Sequence, residues 1–456
     1  MTPSGRRPVL WRSEVQDVEW PPIAAGYAAV LGALFSQINE TQWMEGDEIE
    51  LMQRRQLQVL ATHCAKYSPY FLRTLHGAGL TPVDLAAPGG LQRLPRLSRR
   101  ALQGTKDIFC SMAPNSHMPI VESTSSGSTG TPVVVRTTSV GGLTQMACIL
   151  RGYFWHGRNL ADPVCAIRGQ SDELERRDDW GPPASVLFRT GPALHIPRVI
   201  DIATRIDMIE EFAPKVLTVT PSNLLAIVRR CAETGRRLPS LELICSIAEP
   251  VHDETRDEVR AAFGIEIVDT YSTQELGCIA IQCPVSGLHH VMAERMVVEV
   301  LDDEGEPCAE GQAGRLVITD MHNFATPLFR YEVGDWAEPG PPCPCGRGLP
   351  TIRRILGRER NLIVLPDGRR YWPRFGYARL VVIAPIIQFQ FVQEARERIE
   401  MRLVMARPLT EAEAKNLTAY IQSRFDWPFE VRFTYFENEI PTGPGGKFED
   451  FMCLVD

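Results

Sequence analysis

Apolar residues from Ile49 to Tyr67 recur at helical spacing, and residues 1 to about 115 read as mainly helical, with short turns around Pro95 inside Leu91 to Leu102. The pattern breaks at Thr124 to Pro132, a run of Ser, Thr and Gly. Val133-Val134-Val135 behind it reads as a strand. From about 140 to 270 two periodicities alternate. Val216–Thr220, Leu241–Ile247 and Ile265–Asp269 predict strands; Ser222–Thr234, with Ser222 as its cap, and His252–Phe263 predict helices. Such alternation favours a parallel sheet with helices on its faces. Between 288 and 335 short strands and turns take over, as at Met296–Val300 and Arg315–Thr319 about the turn Asp302–Gly305. After Gly357 a turn at Pro366–Gly368, a helix at Thr410–Phe425 and a strand at Phe429–Phe436 predict a separate small domain. The expected fold is α/β: a large domain over residues 1–357, with parallel sheets and a β subdomain, and a small α+β domain over 358–456. No internal repeat is visible.

Composition narrows the class of protein. Hydrophobic residues make up 44% and charged residues 23% of 456, as in an ordinary soluble protein, and the length asks for more than one domain. A net charge of -8 without a basic block argues against nucleic acid or an anionic membrane as partner. No apolar run is long enough to cross a bilayer or serve as a signal peptide, so a cytoplasmic location is expected. Of the 12 cysteines, Cys64, Cys148, Cys165, Cys231 and Cys245 stand alone in apolar surroundings, as reduced core thiols do.

Several segments carry residue types suited to chemistry. In Ser125-Ser126-Gly127-Ser128-Thr129-Gly130-Thr131, glycines let backbone N–H groups approach phosphate oxygens and hydroxyls add donors, although the same composition suits a flexible polar loop. It is not a Walker loop, since no Gly-Lys-Ser/Thr follows at the required spacing. Asp269-Thr270-Tyr271-Ser272-Thr273-Gln274-Glu275 is expected to follow a strand, at the sheet edge where ligands bind in open parallel sheets. Tyr271 offers a stacking face, Thr273 a phosphate contact and Glu275 a hard oxygen ligand for magnesium. Asp335, after Gly334, could accept from a ribose diol at a turn. Arg358 stands at the domain boundary. Lys447 sits in a glycine-rich tail that could carry a cation to a phosphate.

Each segment alone reads equally well as a plain turn. Their order and separation, with Ala248-Glu249-Pro250 and Cys343-Pro344-Cys345-Gly346-Arg347, resemble the adenylate-forming superfamily, in its branch of phenylacetate–CoA ligases and CapK-type proteins. The resemblance spans about 120 to 450. It implies an ATP- and Mg2+-dependent enzyme that activates a small carboxylic acid, aryl or heteroaryl, as acyl-AMP and passes it to coenzyme A or a carrier-protein thiol. An amine acceptor, or a degenerate nucleotide-binding protein, is the alternative; a homodimer is allowed. By resemblance, Ser125 to Thr131 would hold the phosphates, Ala248, Glu249, Pro250 and Tyr271 would frame the adenine with Asp269 beside them, and Thr273 would touch the α-phosphate. Glu275 would bind Mg2+, and Asp335 would grip the ribose with Arg358 near it. Lys447 would bridge the carboxylate and the α-phosphate, and the small domain would turn about 358 to 361. Two departures stand out: Thr131 occupies a position usually held by lysine, and Arg360 one usually held by aspartate.

Soft ligands form a second group. Cys283 and His289, with the turn carrying Cys343 and Cys345, suit a structural zinc site, and some relatives in the branch resemble it there. His290 could stand for His289, and Cys278 or Cys308 for Cys283. Tyr153, Phe154, Trp155 and His156 could line an acid pocket or a helix core equally well.

Overall fold

The computed structural model describes residues 10–125, 132–168, 173–373, 377–437, 440–441 and 448–455. The chain divides into two compact units. One takes the residues up to Ser125, Pro132–Val333 and Ala337–Ile355; the other takes Gly334–Trp336 and the chain from Leu356 onward.

The first unit opens with helices Gly26–Thr41, Gly46–Tyr67 and Pro69–Gly77. In the second helix Ile49, Leu57, Leu60, Ala61 and Cys64 form one buried stripe, and Glu45 and Glu48 close a capping box at its start. Ser68 ends that helix and starts the next, accepting from the Phe71 N–H, with Pro69 at the first turn.

Five strands of the main sheet run parallel, in the spatial order Ala193–Pro197, Val164–Arg168, Val216–Val219, Leu243–Ile247, Ile267–Thr273. They are apolar almost throughout because both faces are covered. Helices Ile202–Phe212, Pro221–Thr234 and Asp253–Phe263 bury Ile206, Ile209, Leu224, Ile227, Val228 and Val259 against one face. The sheet then changes direction. Gly277–Gln282 turns back antiparallel on Ile267–Thr273, followed by His289–Val291 and the strands of the β subdomain. The α/β class expected from the alternating periodicities is the class observed.

Three local expectations are corrected. Ser222 does not cap its helix: the cap position is Thr220, Pro221 takes the first turn, and Ser222 bonds elsewhere. Thr270 to Thr273, expected to follow a strand ending at Asp269, lie inside one, because Ile267–Thr273 continues past Asp269 to pair with Gly277–Gln282. Asp335 likewise stands within the strand Tyr331–Pro339, with Gly334 at φ +83° supplying the irregularity read as a turn.

The second unit holds a four-stranded sheet in the order Glu430–Phe436, Arg398–Met405, Ile386–Ala395, Phe451–Cys453. The middle two strands are antiparallel, and each outer strand runs parallel to its neighbour. Thr410 and Glu413 form the capping box of helix Glu411–Phe425, which ends at Asp426 in the left-handed region. Leu417, Ile421 and Phe425 of that helix pack with Phe391, Met401, Leu403, Phe429 and Phe451.

Four buried or half-buried arginines tie the first unit together. Arg151 donates to Glu294 and the Ile38 carbonyl; Arg330 donates to Glu299 and to the Gln92 and Leu94 carbonyls. Arg295 holds Asp320 at 2.9 Å and also donates to the Leu276 carbonyl, one residue past Glu275. Arg99 is the fourth, and it belongs to the site. Arg295 and Asp320 are 2% and 1% exposed, so removing one leaves the other charged and dry. Asp320→Ala is expected to cost about 3–5 kcal/mol in urea unfolding. A loss below about 1 kcal/mol would mean that this pair does not hold the β subdomain to the sheet.

Candidate functional site

The turn between the strands Ile267–Thr273 and Gly277–Gln282 presents Gln274 and Glu275 at the sheet edge. The Thr273 hydroxyl accepts from the Leu276 N–H at 3.2 Å and fixes the turn. Gln274 donates to the Thr124 carbonyl at 2.9 Å. Glu275 is only 9% exposed, and its Oε1 accepts from Arg99 Nη1 at 2.7 Å. The other arm of Arg99, Nη2, donates to Ser125 Oγ at 2.9 Å. Ser125 is itself held in two ways, its N–H donating to the Val133 carbonyl and its Oγ accepting from the Val133 N–H. One guanidinium thus joins the magnesium candidate and the first residue of the Ser/Gly run. Ser126, Gly127, Ser128, Thr129, Gly130 and Thr131 lie outside the described residues.

Arg99 was not among the residues singled out in the sequence, and Gln274, though part of the segment Asp269 to Glu275, was given no role there. Arg99 stands between Arg96 and Arg100, 176 positions from its carboxylate partner, and the only local signal is Ser98. Ser98 accepts from the Ala101 N–H and starts the short helix Arg99–Gly104. The segment before it is pinned: the Leu97 N–H donates to the Arg330 carbonyl and the Glu332 N–H to the Leu97 carbonyl. Burial disfavours the Arg99 charge, but Glu275 and Tyr331 outweigh it and raise its pKa.

Ala248, Glu249 and Pro250 follow the neighbouring strand Leu243–Ile247. Ala248 has φ +71° and the Glu249 N–H returns to the Ile247 carbonyl at 2.9 Å, a tight turn of the strained kind. The Glu249 carboxylate then accepts from the N–H and Oγ of Ser222, both at 3.0 Å, at the start of helix Pro221–Thr234. The segment is thereby fixed on a helix N-terminus, where a carboxylate is favoured. Tyr271 is buried with Leu276, Ile279, Ala280 and Val291. Asp269 accepts at 3.1 Å from His289 Nε2, and its N–H donates to Gln282.

Tyr153, Trp155 and His156 are already engaged at the end of helix Ser139–Trp155. Tyr153 packs on Trp180 and under Arg158, Trp155 donates to Gln42, and His156 meets the Gln282 carbonyl. A surface concavity of about 440 Å³ lined by Tyr70, Arg93, Pro95 and Phe329 includes none of the residues named for chemistry.

In the second unit, Arg358 Nε lies 3.5 Å from Asp335 Oδ1, and Asp335 is 8% exposed. Trp372 donates to the Arg358 carbonyl and packs on Trp336 at 5.4 Å. Lys447 lies outside the described residues.

A separate cluster brings Cys283, His290, Cys343 and Cys345 together, their donor atoms all within 4.8 Å of one another. The histidine is His290, not His289. Successive residues of the strand His289–Val291 point to opposite faces, so with His290 toward the thiols His289 faces Asp269. Cys283 Sγ and Cys343 Sγ are 3.7 Å apart, and His290 Nε2 is 3.2 Å from Cys345 Sγ. Two thiolates on one tetrahedral zinc, each bonded at about 2.3 Å, stand about 3.8 Å apart, so the spacing suits zinc. Burial lowers the His290 pKa to about 4, which keeps the imidazole neutral and its lone pair available. At Cys283 burial acts upward, yet the N–H groups of Ser286 and Val285 prevail and lower the thiol. Trp155 packs edge-on to His290, and Arg347 lies over Trp155 and Trp43.

Comparison with known proteins finds similar chains. A family model described as AMP-binding enzyme matches residues 111–326. Phenylacetate-coenzyme A ligase of Thermus thermophilus is 25% identical over 81% of this chain and 84% of its own. Protein CapK of Staphylococcus aureus is 24% identical over 53% of each. Among solved structures, 2-hydroxyisobutyryl-CoA ligase in the postadenylation state with 2-HIB-AMP shares the fold, at 18% identity, TM-score 0.72 and 90% coverage of both chains.

The strained turn at Ala248 gives a direct test of the local geometry. Ala248 is exposed, so substitution there reports on the backbone rather than on packing. Ala248→Gly is expected to unfold within about 1 kcal/mol of the parent chain, and Ala248→Val to lose about 1–2 kcal/mol. Equal urea midpoints for the valine variant and the parent would contradict the positive φ.

Proposed function

The chain belongs to the adenylate-forming superfamily, in the branch of the phenylacetate–CoA ligases and CapK, and from that premise we propose that it activates a carboxylic acid with ATP and transfers the acyl group to coenzyme A. It is an acid–thiol ligase. The observation that carries the reading is the junction of Glu275 with Ser125, which brings a hard carboxylate oxygen to the start of a Ser/Gly run. In the first half-reaction a carboxylate oxygen attacks the α-phosphorus of ATP, the bond from that phosphorus to the bridging oxygen breaks, and pyrophosphate leaves. In the second, the thiol sulfur attacks the acyl carbon, the bond to AMP breaks, and the thiol proton passes to solvent.

The residues divide these tasks. The run from Ser125 to Thr131 cradles the phosphates through backbone N–H groups. Ala248, Glu249, Pro250 and Tyr271 frame the adenine, with Asp269 bracing the strand beneath them. Thr273 keeps the turn in place beside the α-phosphate. Glu275 holds Mg2+, which would neutralise charge on the phosphates. Asp335 and Arg358 hold the ribose, and Lys447 meets the developing negative charge in the first half-reaction. Residues 1–357 act as the adenylation domain and 358–456 as a lid that turns between the two half-reactions. The acid is aryl or heteroaryl. Coenzyme A is preferred to a carrier protein because relatives in the branch are named as coenzyme A ligases.

ATP–pyrophosphate exchange across aryl, heteroaryl and short aliphatic acids tests the reaction. Exchange with at least one acid, and AMP with pyrophosphate as products once coenzyme A is added, is the expected result. ADP and phosphate as products would replace adenylation with direct phosphorylation of the acid.

The thiol and imidazole cluster holds structural Zn2+ through Cys283, His290, Cys343 and Cys345. Elemental analysis of protein purified without chelator should find about one zinc per chain. His290→Ala and Cys345→Ser should lose it, while His289→Ala should keep it. Zinc retained in His290→Ala but lost in His289→Ala would reverse the ligand assignment.

A further inference from the structure

Arg99 joins two groups to which the proposed function gives separate tasks, Glu275 for the metal and Ser125 for the phosphates, and this inference rests on that reading. From Thr124 to Val135 the sequence has no lysine, arginine or histidine, so the phosphate-binding run brings no cation of its own. Arg99 supplies one from another element. Its side chain is 20% exposed, Nη1 is on Glu275 and Nη2 on Ser125 Oγ, and Nε is buried without a hydrogen-bond partner among the described residues. A guanidinium offers five donors in a rigid plane, which suits two phosphate oxygens at once. Its backbone is held by the Ser98 cap and by the paired bonds of Leu97 to Arg330 and Glu332, so its side chain is mounted independently of the Ser/Gly run.

We propose that Arg99 is the cation that holds the terminal phosphates of ATP, exchanging part of its hold on Glu275 for phosphate oxygens while that carboxylate turns to Mg2+. The charges favour the exchange. Mg2+ and ATP4- together bring two negative charges beside Glu275, and without Arg99 three negative charges would meet there with no fixed cation among the residues just named. The guanidinium already bonds the Oγ of Ser125, the first residue of the Ser/Gly run.

The test compares nucleotides that differ only in their terminal phosphates. ATP with Mg2+, and AMP, are titrated calorimetrically into the full-length chain, Arg99→Met and Arg99→Lys. Loss of charge-assisted hydrogen bonds should weaken ATP binding roughly tenfold to a hundredfold in Arg99→Met, and AMP binding less than about threefold. Arg99→Lys should recover part of the ATP affinity, since it restores charge but not the planar fork. If Arg99→Met does not fold, the same ATP-against-AMP comparison is made on Arg99→Lys, where a preferential loss for ATP is again expected. Equal losses for the two nucleotides, or unchanged ATP affinity, would overturn the proposal and leave Arg99 as a brace between Glu275 and Ser125. A parent chain that binds ATP with the expected Arg99 dependence but exchanges pyrophosphate with no acid would sink the adenylation reading alone.

Discussion

A guanidinium taken out of water stays charged, so it must be surrounded by acceptors, and this one requirement organises the first unit. Arg151 ties the first helix to the turn at Glu294. Arg295 ties that same turn to Asp320 and to the carbonyl of Leu276. Arg330 gathers Glu299 and the loop at Gln92 and Leu94. Arg99, mounted just beyond that loop, closes on Glu275 and Ser125. Each pair is expensive to break because the remaining charge would be buried alone. Two of them, Arg99 on Glu275 and Arg295 on the Leu276 carbonyl, hold the turn that carries Glu275 from elements far away in the sequence.

The sheet supplies the second constraint. Parallel strands end at one edge, and where Gly277–Gln282 turns back against Ile267–Thr273 the chain reverses at that edge. Ala248 and Glu275 follow adjacent strands, so the adenine and metal candidates are neighbours by topology rather than by sequence. Strain at Ala248 is offset by the Glu249 carboxylate on the helix start at Ser222, which holds the turn in a conformation that a loop alone would leave. The same alternation of strand faces sends His289 toward Asp269 and His290 toward the thiols. One strand thus braces the base of the proposed nucleotide site on one face and the proposed zinc site on the other.

Periodicity and motif order along the chain determined a good deal: the α/β class, the alternation of strands and helices between 140 and 270, the helix from Thr410 to Phe425, and the superfamily. These depend on local spacing, and local spacing is written in the sequence. The soft cluster was legible as a set of residue types. Choosing His290 over His289 was not, because neighbours on a strand differ only in the face they take, and the register of the sheet decides that. Thr270 to Thr273 and Asp335 were read outside strands because polar residues and glycine mark turns; inside a sheet, hydrogen bonds from neighbouring strands override that preference. Arg99 was the least legible. An arginine among arginines carries no local mark, and its meaning comes from a carboxylate 176 residues away that only the folded chain brings within 2.7 Å.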